Sequence, residues 1–538
     1  MASDAPPRGP AASICYVTAI VLLPLIVLWS RDNALFTGYG YVDPWIYFGY
    51  FRNLAEFKRS AMGLTFGAHL SWLLPGAAMQ SLFSPVAAAA LLHLGVHWLA
   101  SLSLYSILNR VVGARRAFLT TMVFSATPWV WRATGTDDVQ GIAIAWCLLS
   151  LALLTRAAYQ PTRRFSLLAA GAALAAFVYA NSDWMALSPL VPLYYLGLLR
   201  AWNRPLHRRA ILVFCGWFGA GCAIVTAAFC AVNNSLDGHP FFYASATVAE
   251  LTARALYPWW HGLWSAGGPS AWLLAPLAAA ILAGWSLLKF RRQVDVPVVF
   301  SATLLGAFAW LAIGQLRGHD MLGSPYHAAI LLPFSFLVIG GRFWPKMDRA
   351  PLRHYLLFCA LLAVALSRSW LFDTGYMDRN AGWFSWLGGA ALLASLKLKW
   401  MPDAPILALA GFCVFTALGV NPAYSVDDPH AFRKEYAAVA RARTQIETVR
   451  RGAPIRFWLE ANSAPDAGVV ALAASYLRVD DLDHPTHCDG QVSPSTVIAT
   501  NLPDAGDCLA ARGLHLVPIG TAGPFRLFQV QNVPARSR

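Results

Sequence analysis

Residues 38–53 read GYGYVDPWIYFGYFRN, an aromatic segment that follows the first long apolar run of the chain. Trp and Tyr side chains favour the boundary between a bilayer and water, so this segment is predicted to lie along a membrane surface. Asp43 is its one carboxylate, and Pro44 follows it directly. Because an ionised side chain is costly at that boundary, Asp43 is a candidate functional residue.

The composition also indicates a membrane protein. Of 538 residues, 57% are hydrophobic and 13% are charged, whereas soluble proteins are about 45–50% apolar and about 25% charged. An ordinary soluble enzyme and a disordered chain are thereby excluded. The net charge of +14 lies entirely in residues 1–421, which carry 29 basic and 15 acidic side chains, while residues 422–538 carry 12 of each.

Thirteen apolar stretches are long enough, or nearly so, to cross a bilayer core of about 30 Å. They are residues 12–29, 84–108, 117–133, 139–155, 165–181, 185–199, 210–232, 270–288, 296–314, 326–341, 355–371, 384–396 and 404–420. Basic residues fill every second loop, which predicts a cytoplasmic N-terminus and an outer C-terminus. The positive charge therefore reflects topology and not a nucleic-acid site.

The predicted fold is mainly α: a polytopic bundle of about 13 spans over residues 1–421, followed by a small outer α/β domain over residues 422–538. An amphipathic helix is expected from Phe432 to Arg451, and strand-like runs follow. These runs are residues 454–459, 468–474, 495–500, 514–519 and 525–531. Cys488 and Cys508 suit a disulfide in an oxidising compartment, and two buried free thiols are the alternative.

A second outer loop contains Asp137 and Asp138 close to Arg132. Each loop acid also has a structural interpretation, since Asp43 suits the cap of the aromatic helix and Asp138 the cap of the fourth span. Both acidic sites are predicted on one face of the membrane, which favours a functional role for them.

These features resemble the GT-C superfamily of polyprenyl-phosphate-dependent glycosyltransferases, in the protein-mannosyltransferase and aminoarabinose-transferase branch. The likeness rests on Asp43 before an aromatic helix, on an acid at the start of the fourth span, and on thirteen spans with an outer domain. Residues 323–333, GSPYHAAILLP, resemble the Tyr-to-Pro motif of that branch. The branch usually has a second acid after the first, where this chain has Pro44.

The resemblance implies an inverting transfer of a sugar from a polyprenyl phosphate, with Asp43 as general base. Asp137 and Asp138 are the accompanying catalytic candidates. The lipid phosphate calls for cations, for which the candidates are Arg317, His319, Arg52 and Arg132. The candidates for the substrate groove are Tyr326, His327 and Tyr47. A divalent metal (Mg²⁺ or Mn²⁺) between Asp43 and Asp137 or Asp138 stays open.

The expected location is the bacterial inner membrane, with the C-terminal domain in the periplasm. The expected partners are a lipid-linked sugar donor and an envelope acceptor, which is a glycolipid, a polysaccharide or a protein. Two alternatives remain. A flippase or transporter predicts ionisable residues at mid-membrane, and an O-antigen polymerase or ligase depends on Arg and His in a large outer loop.

Overall fold

A computed structural model describes residues 10–30, 42–55, 64–135, 139–160, 163–204, 206–237, 274–289, 294–316, 322, 328–342, 431–458, 494–500, 514–522 and 525–532. These parts of the chain are mainly helical. The helices are α1 Pro10–Ser30, α2 Val42–Arg52, α3 Leu64–Gly67, α4 Leu70–Leu82, α5 Pro85–Val112, α6 Ala114–Ala126, α7 Pro128–Thr134, α8 Val139–Tyr159, α9 Arg164–Val178, α10 Leu190–Ala201, α11 Arg208–Asp237, α12 Leu274–Lys289, α13 Val296–Leu316, α14 Leu331–Arg342 and α15 Ala431–Arg450. A 3₁₀ helix, Ser182–Leu187, precedes α10.

Four helices within these ranges are long and apolar enough to cross a membrane: α5, α8, α11 and α13. Shorter apolar helices accompany them at Ser13–Ile26, Arg164–Val178, Ala279–Leu288 and Leu331–Gly341. The predicted spans at 355–371, 384–396 and 404–420 lie outside the described residues. The count of thirteen therefore stays a prediction.

Helix α5 is central to the described bundle, because it packs against α1, α4, α6, α7, α8 and α14. Helix α8 continues the bundle by packing against α9 and α10, and α9 packs against α11. Gly113 joins α5 to α6 with φ 88°, a conformation that glycine adopts without steric cost. The turn reverses the chain so that α6 returns along α5.

Over the predicted span 117–133 the chain forms two helices instead of one continuous helix. Helix α6 ends at Ala126 and α7 begins at Pro128, with Thr127 extended between them at φ −67° and ψ 120°. Proline disfavours the helical conformation of the residue before it and has no N–H for a hydrogen bond to the preceding turn. The break leaves α7 as a separate two-turn helix directly before residues 136–138.

The C-terminal part contains α15 and a four-stranded sheet of β1 Ile455–Trp458, β2 Val497–Thr500, β3 Leu514–Ala522 and β4 Phe525–Asn532. The strand order is β1-β2-β4-β3, with β1 parallel to β2 and the other neighbours antiparallel. These strands coincide with four of the predicted runs, and the run 468–474 lies outside the described residues. The division into domains 1–421 and 422–538 stays a prediction.

Candidate functional site

Helix α2 carries Asp43 in its first turn and Arg52 in its last turn. Asp43-Pro44 is a favourable helix start, since a carboxylate suits the positive end of the helix dipole and proline costs no hydrogen bond in the first turn. The prediction of a helix after Asp43 is confirmed. The Asp43 side chain lies outside the described atoms, so its role as general base stays a prediction.

Tyr47 joins α2 to the start of α4. Its ring is 1% exposed, and its hydroxyl shares a 2.6 Å hydrogen bond with Nδ1 of His69, the residue before α4. Phe66 packs edge-on against the same ring, with centroids 5.1 Å apart. Tyr47, predicted to line a substrate groove, is thus a buried link between α2 and α4, and its contact with a substrate stays a prediction.

Phe51 is the second link from α2, and it leads on to α5. The Phe51 ring packs edge-on against Trp72 at 5.3 Å, and Trp72 stacks on His93 at 6.1 Å. A β-carbon on Gly76 would lie 2.2 Å from the Phe51 ring. The absence of a side chain at Gly76 thus leaves room for the Phe51 ring against α4.

His97 lies one turn after His93 on α5, and it holds α6 and α7. Its Nδ1 is 2.9 Å from Thr134 Oγ1 on α7, and its Nε2 is 2.8 Å from Ser125 Oγ on α6. The Trp131 ring of α7 stacks on the His97 imidazole at 4.2 Å. His97 is fully buried, so its two hydrogen bonds replace those that water would make.

The end of α7 and the start of α8 pack directly on each other. The N–H of Gly135 donates to Trp131 O at 2.7 Å, which ends α7. A β-carbon on Gly141 would lie 2.3 Å from Ala133 O. Only residues 136–138 connect Gly135 to Val139, and they include Asp137 and Asp138.

One face of α5 therefore supports both acid-bearing elements. The His93 ring stacks on Trp72 of α4, which packs against Phe51 of α2. His97, four residues later, contacts α7 directly. Residues four apart lie on the same side of a helix. Both elements are thus linked to α5, α2 by ring contacts through α4 and α7 directly. The grouping of Asp43, Asp137 and Asp138 stays a prediction, because these carboxylates lie outside the described atoms.

Arg52, a candidate for the lipid phosphate, is half-buried at the end of α2. Its guanidinium lies over the Phe48 ring, 5.7 Å from the centroid. Phe48 in turn packs edge-on against Tyr436 of α15, with centroids 6.2 Å apart. The aromatic helix therefore also contacts the first helix of the C-terminal part.

The remaining predicted site residues are not among the described side chains. They are Arg132, whose backbone belongs to α7, and Arg317, His319, Tyr326, His327, Cys488 and Cys508. Within the described part of the chain, no group of three His, Cys, Asp or Glu side chains is placed to hold a metal ion. The roles predicted for these residues, for the metal and for the disulfide stay predictions.

The sequence analysis missed His69, Trp72, His93, His97 and Thr134. A signal for two of them was present, because His93 and His97 are four residues apart within an otherwise apolar span. Ionisable side chains inside spans are rare and are functional candidates by default. The acids at the ends of the spans, on which the site prediction rests, give no indication of these residues.

Comparison with solved structures identifies the fold. ArnT from Cupriavidus metallidurans bound to undecaprenyl phosphate matches with a TM-score of 0.54 at 15% identity, over 97% of this chain and 98% of that chain. The apo form of the same protein matches with a TM-score of 0.51 at 14% identity, over 97% and 99%.

The apo oligosaccharyltransferase from Archaeoglobus fulgidus matches at a TM-score of 0.42 and 15% identity, over 86% of this chain and 64% of that chain. No family model and no curated protein sequence matches the chain. The likeness to ArnT extends over nearly the full length of both chains, so the expected resemblance is confirmed for the fold alone.

Proposed function

We propose that this protein is an inverting glycosyltransferase that moves a sugar from a polyprenyl-phosphate donor to an envelope acceptor. The observation that carries this proposal is that both acid-bearing elements connect to α5, α2 through the Phe51 and Trp72 rings to His93, and α7 directly to His97. The similar fold of ArnT, solved with undecaprenyl phosphate, supports a lipid phosphate as the leaving group.

In this reaction an acceptor hydroxyl attacks the anomeric carbon of the donor sugar. The hydroxyl proton passes to the Asp43 carboxylate, the new C–O bond forms, and the bond to the lipid phosphate oxygen breaks with its electron pair on the phosphate. Attack opposite the leaving group inverts the anomeric centre. Asp137 and Asp138 lie with Asp43 around the reacting sugar in this proposal.

The leaving phosphate gains negative charge, which cationic side chains stabilise. Arg317 and His319 are the leading candidates, with Arg52 and Arg132 beside them. If a divalent metal takes part, the donor chemistry favours Asp43 with Asp137 or Asp138 as its ligands. None of the reaction steps above uses a metal ion. Removing divalent ions with EDTA tests whether the enzyme needs one.

The membrane arrangement is part of the proposal. Residues 1–421 form the catalytic membrane domain in the bacterial inner membrane, with a cytoplasmic N-terminus. Residues 422–538 form a periplasmic α/β domain, and transfer takes place at the periplasmic face. The acceptor is a glycolipid, a polysaccharide or a protein of the envelope.

A transporter is the second candidate, since His93 and His97 lie inside an apolar helix. A proton relay needs side chains that exchange protons along a path. Both ring nitrogens of His97 are instead bonded to hydroxyls of neighbouring helices. This arrangement favours a structural link and therefore the enzyme.

The test is the Asp43→Asn variant, assayed for transfer of labelled sugar from polyprenyl-phosphate donors to envelope acceptors. Asn caps helices about as well as Asp, but it cannot accept the hydroxyl proton. A capping role for Asp43 predicts an unchanged transfer rate. A role as general base predicts that the transfer rate falls about 10²–10⁴-fold, the usual contribution of general acid–base catalysis.

The matched control is Asp295→Asn, because Asp295 caps α13 by accepting a 2.9 Å hydrogen bond from Val298 N. This variant is expected to retain both its fold and its transfer activity. Full activity of Asp43→Asn removes Asp43 from the mechanism and favours a polymerase or ligase based on Arg and His. Movement of the intact lipid-linked sugar without transfer favours the flippase.

A further inference from the structure

We propose that His97 is a positioning residue that fixes the end of α7 at its junction with α8, and with it the points from which the segment containing Asp137 and Asp138 starts and ends. The inference rests on the proposed function. His97 belongs to α5, but it contacts α6 through Ser125 and α7 through Thr134 and Trp131. A single fully buried side chain thus links three helices.

The donors and acceptors of these hydrogen bonds can be assigned in one consistent way. The Thr134 hydroxyl donates its one proton to Val130 O, at 2.9 Å. Its oxygen must therefore accept from His97 Nδ1–H, because a hydroxyl has one proton and two lone pairs. In the neutral imidazole Nε2 is then the acceptor, and Ser125 Oγ donates to it. Both ring nitrogens and the Thr134 hydroxyl are satisfied.

The junction is held from both of its ends. The imidazole fixes Thr134 and stacks on Trp131, while Gly135 N–H closes the last turn of α7 onto Trp131 O. On the other side, the backbone of α8 at Gly141 packs on the backbone of α7 at Ala133. Since three residues span the remaining gap, their attachment points are set by these contacts.

Helix association alone does not require a histidine at this position. An apolar side chain would fill the space without the cost of burying two ring nitrogens. The hydrogen bonds add direction, because they fix the rotation of α7 about its own axis as well as its distance from α5. A catalytic carboxylate needs such control, since a displacement of about 1 Å costs about 100-fold in rate.

The test compares Thr134→Val with Ser125→Ala, each of which removes one partner of the same ring. Both leave one buried imidazole nitrogen unpaired, so both lower stability, but only Thr134 belongs to the junction. We expect Thr134→Val to lower kcat about 10- to 100-fold with little change in donor KM. Ser125→Ala is expected to retain kcat per folded molecule.

A second pair of variants replaces His97 itself. The side-chain amide of Asn superimposes on Nδ1 and that of Gln on Nε2, so His97→Asn retains the bond to Thr134 and His97→Gln the bond to Ser125. Partial rescue of kcat by Asn and not by Gln supports the positioning role. Equal loss in both variants, with equal loss in Thr134→Val and Ser125→Ala, indicates a general core role and overturns it.

Hydrogen exchange separates this inference from the proposed function. Backbone amides of residues 134–141 are expected to exchange faster in Thr134→Val and His97→Gln than in Ser125→Ala and His97→Asn. Unchanged exchange overturns the positioning role whatever the activity. If the wild-type protein transfers no sugar, the glycosyltransferase proposal fails, and the exchange pattern alone decides for or against His97.

Discussion

Two regions of this bundle hold their helices together in different ways. At the acid-bearing corner, α2, α4, α5 and α7 are linked by stacked rings and by the hydrogen bonds of His97, in addition to the close glycine contacts at Gly76 and Gly141. In the α9–α11 pair the backbones touch, since a β-carbon on Gly171 or Gly221 would lie 1.9 Å from the carbonyl oxygen of Phe218 or Leu168. Small residues that permit such approach are a common means of helix association in lipid.

The difference indicates what each region has to achieve. Glycine contacts give two helices a close separation, and they suffice where the bundle only has to be stable. Directed polar and aromatic contacts also fix rotation, which matters where a side chain must meet a substrate. We therefore expect damage to the corner to lower activity, and damage to the α9–α11 pair to lower stability alone.

The largest effect is expected for Gly141→Ala, where the new methyl group meets the α7 backbone. The clash lies at 2.3 Å from Ala133 O, so α7 and α8 must separate beside Asp137 and Asp138. We expect transfer per folded molecule to fall about 100-fold and stability to fall by about 1–3 kcal/mol. The measurements are kcat and Tm in detergent.

The control is Gly95→Ala on α5, where no described atom lies within 4 Å of the new methyl group. It should behave as wild type in both measurements. A variant Gly141→Ala that keeps full kcat would show that the junction tolerates displacement, and the contrast between the two regions would lose its functional meaning.

Gly221→Ala tests the other region. Its methyl group meets Leu168 O and the Ala172 backbone, so we expect stability to fall by about 1–3 kcal/mol. Because this contact is remote from the α5 face that bears His93 and His97, kcat per folded molecule should not change. Gly219→Ala, with open space in the described structure, is the matched control. A loss of kcat at retained stability would contradict the comparison.

A smaller effect is expected for Gly76→Ala at the other side of the corner. The methyl group meets the Phe51 ring at 2.2 Å, and a side chain can shift more easily than a backbone. We expect a roughly tenfold loss of kcat through displacement of α2. Adding Phe51→Leu, a smaller side chain, should restore part of the rate, and failure of this rescue would argue against the Phe51 contact as the cause.

The smallest effect is expected for Tyr194→Phe, again away from the corner. The Tyr194 hydroxyl donates to Thr155 Oγ1 at 2.6 Å, since the Thr155 proton goes to Leu151 O. Its removal should cost about 0.5–1.5 kcal/mol of stability and leave kcat unchanged. A drop in kcat beyond the loss of folded protein would mean that hydrogen bonds throughout the bundle affect the site.

The sequence predicted several elements of this architecture because their signals are local. The span 84–108 became α5, and the helix after Asp43 became α2, since apolar length and Asp-Pro at a helix start are visible in a few residues. The break at Thr127 also has a local signal, because Thr127 directly precedes Pro128. Local signals thus account for the helices and for their limits.

The contacts of the site had no such signal. Tyr47 meets His69 only because α2 packs on α4, and His97 meets Thr134 only because α7 packs on α5. The periodicity of one segment does not indicate which other segment it will pack against. The pairing of His93 with His97 was visible as a spacing of four, but its partners Trp72 and Trp131 could be found only from the three-dimensional packing.

The contact of Phe48 with Tyr436 has a consequence for the order of assembly. The two residues are about 390 positions apart in the chain, and at a synthesis rate of about 5–20 residues per second roughly 20–80 s separate their appearance. Helix α2 therefore packs on α4 long before α15 reaches it. The last of the described helices contacts one of the first, so a ribosome that stalls before α15 leaves a bundle without this contact.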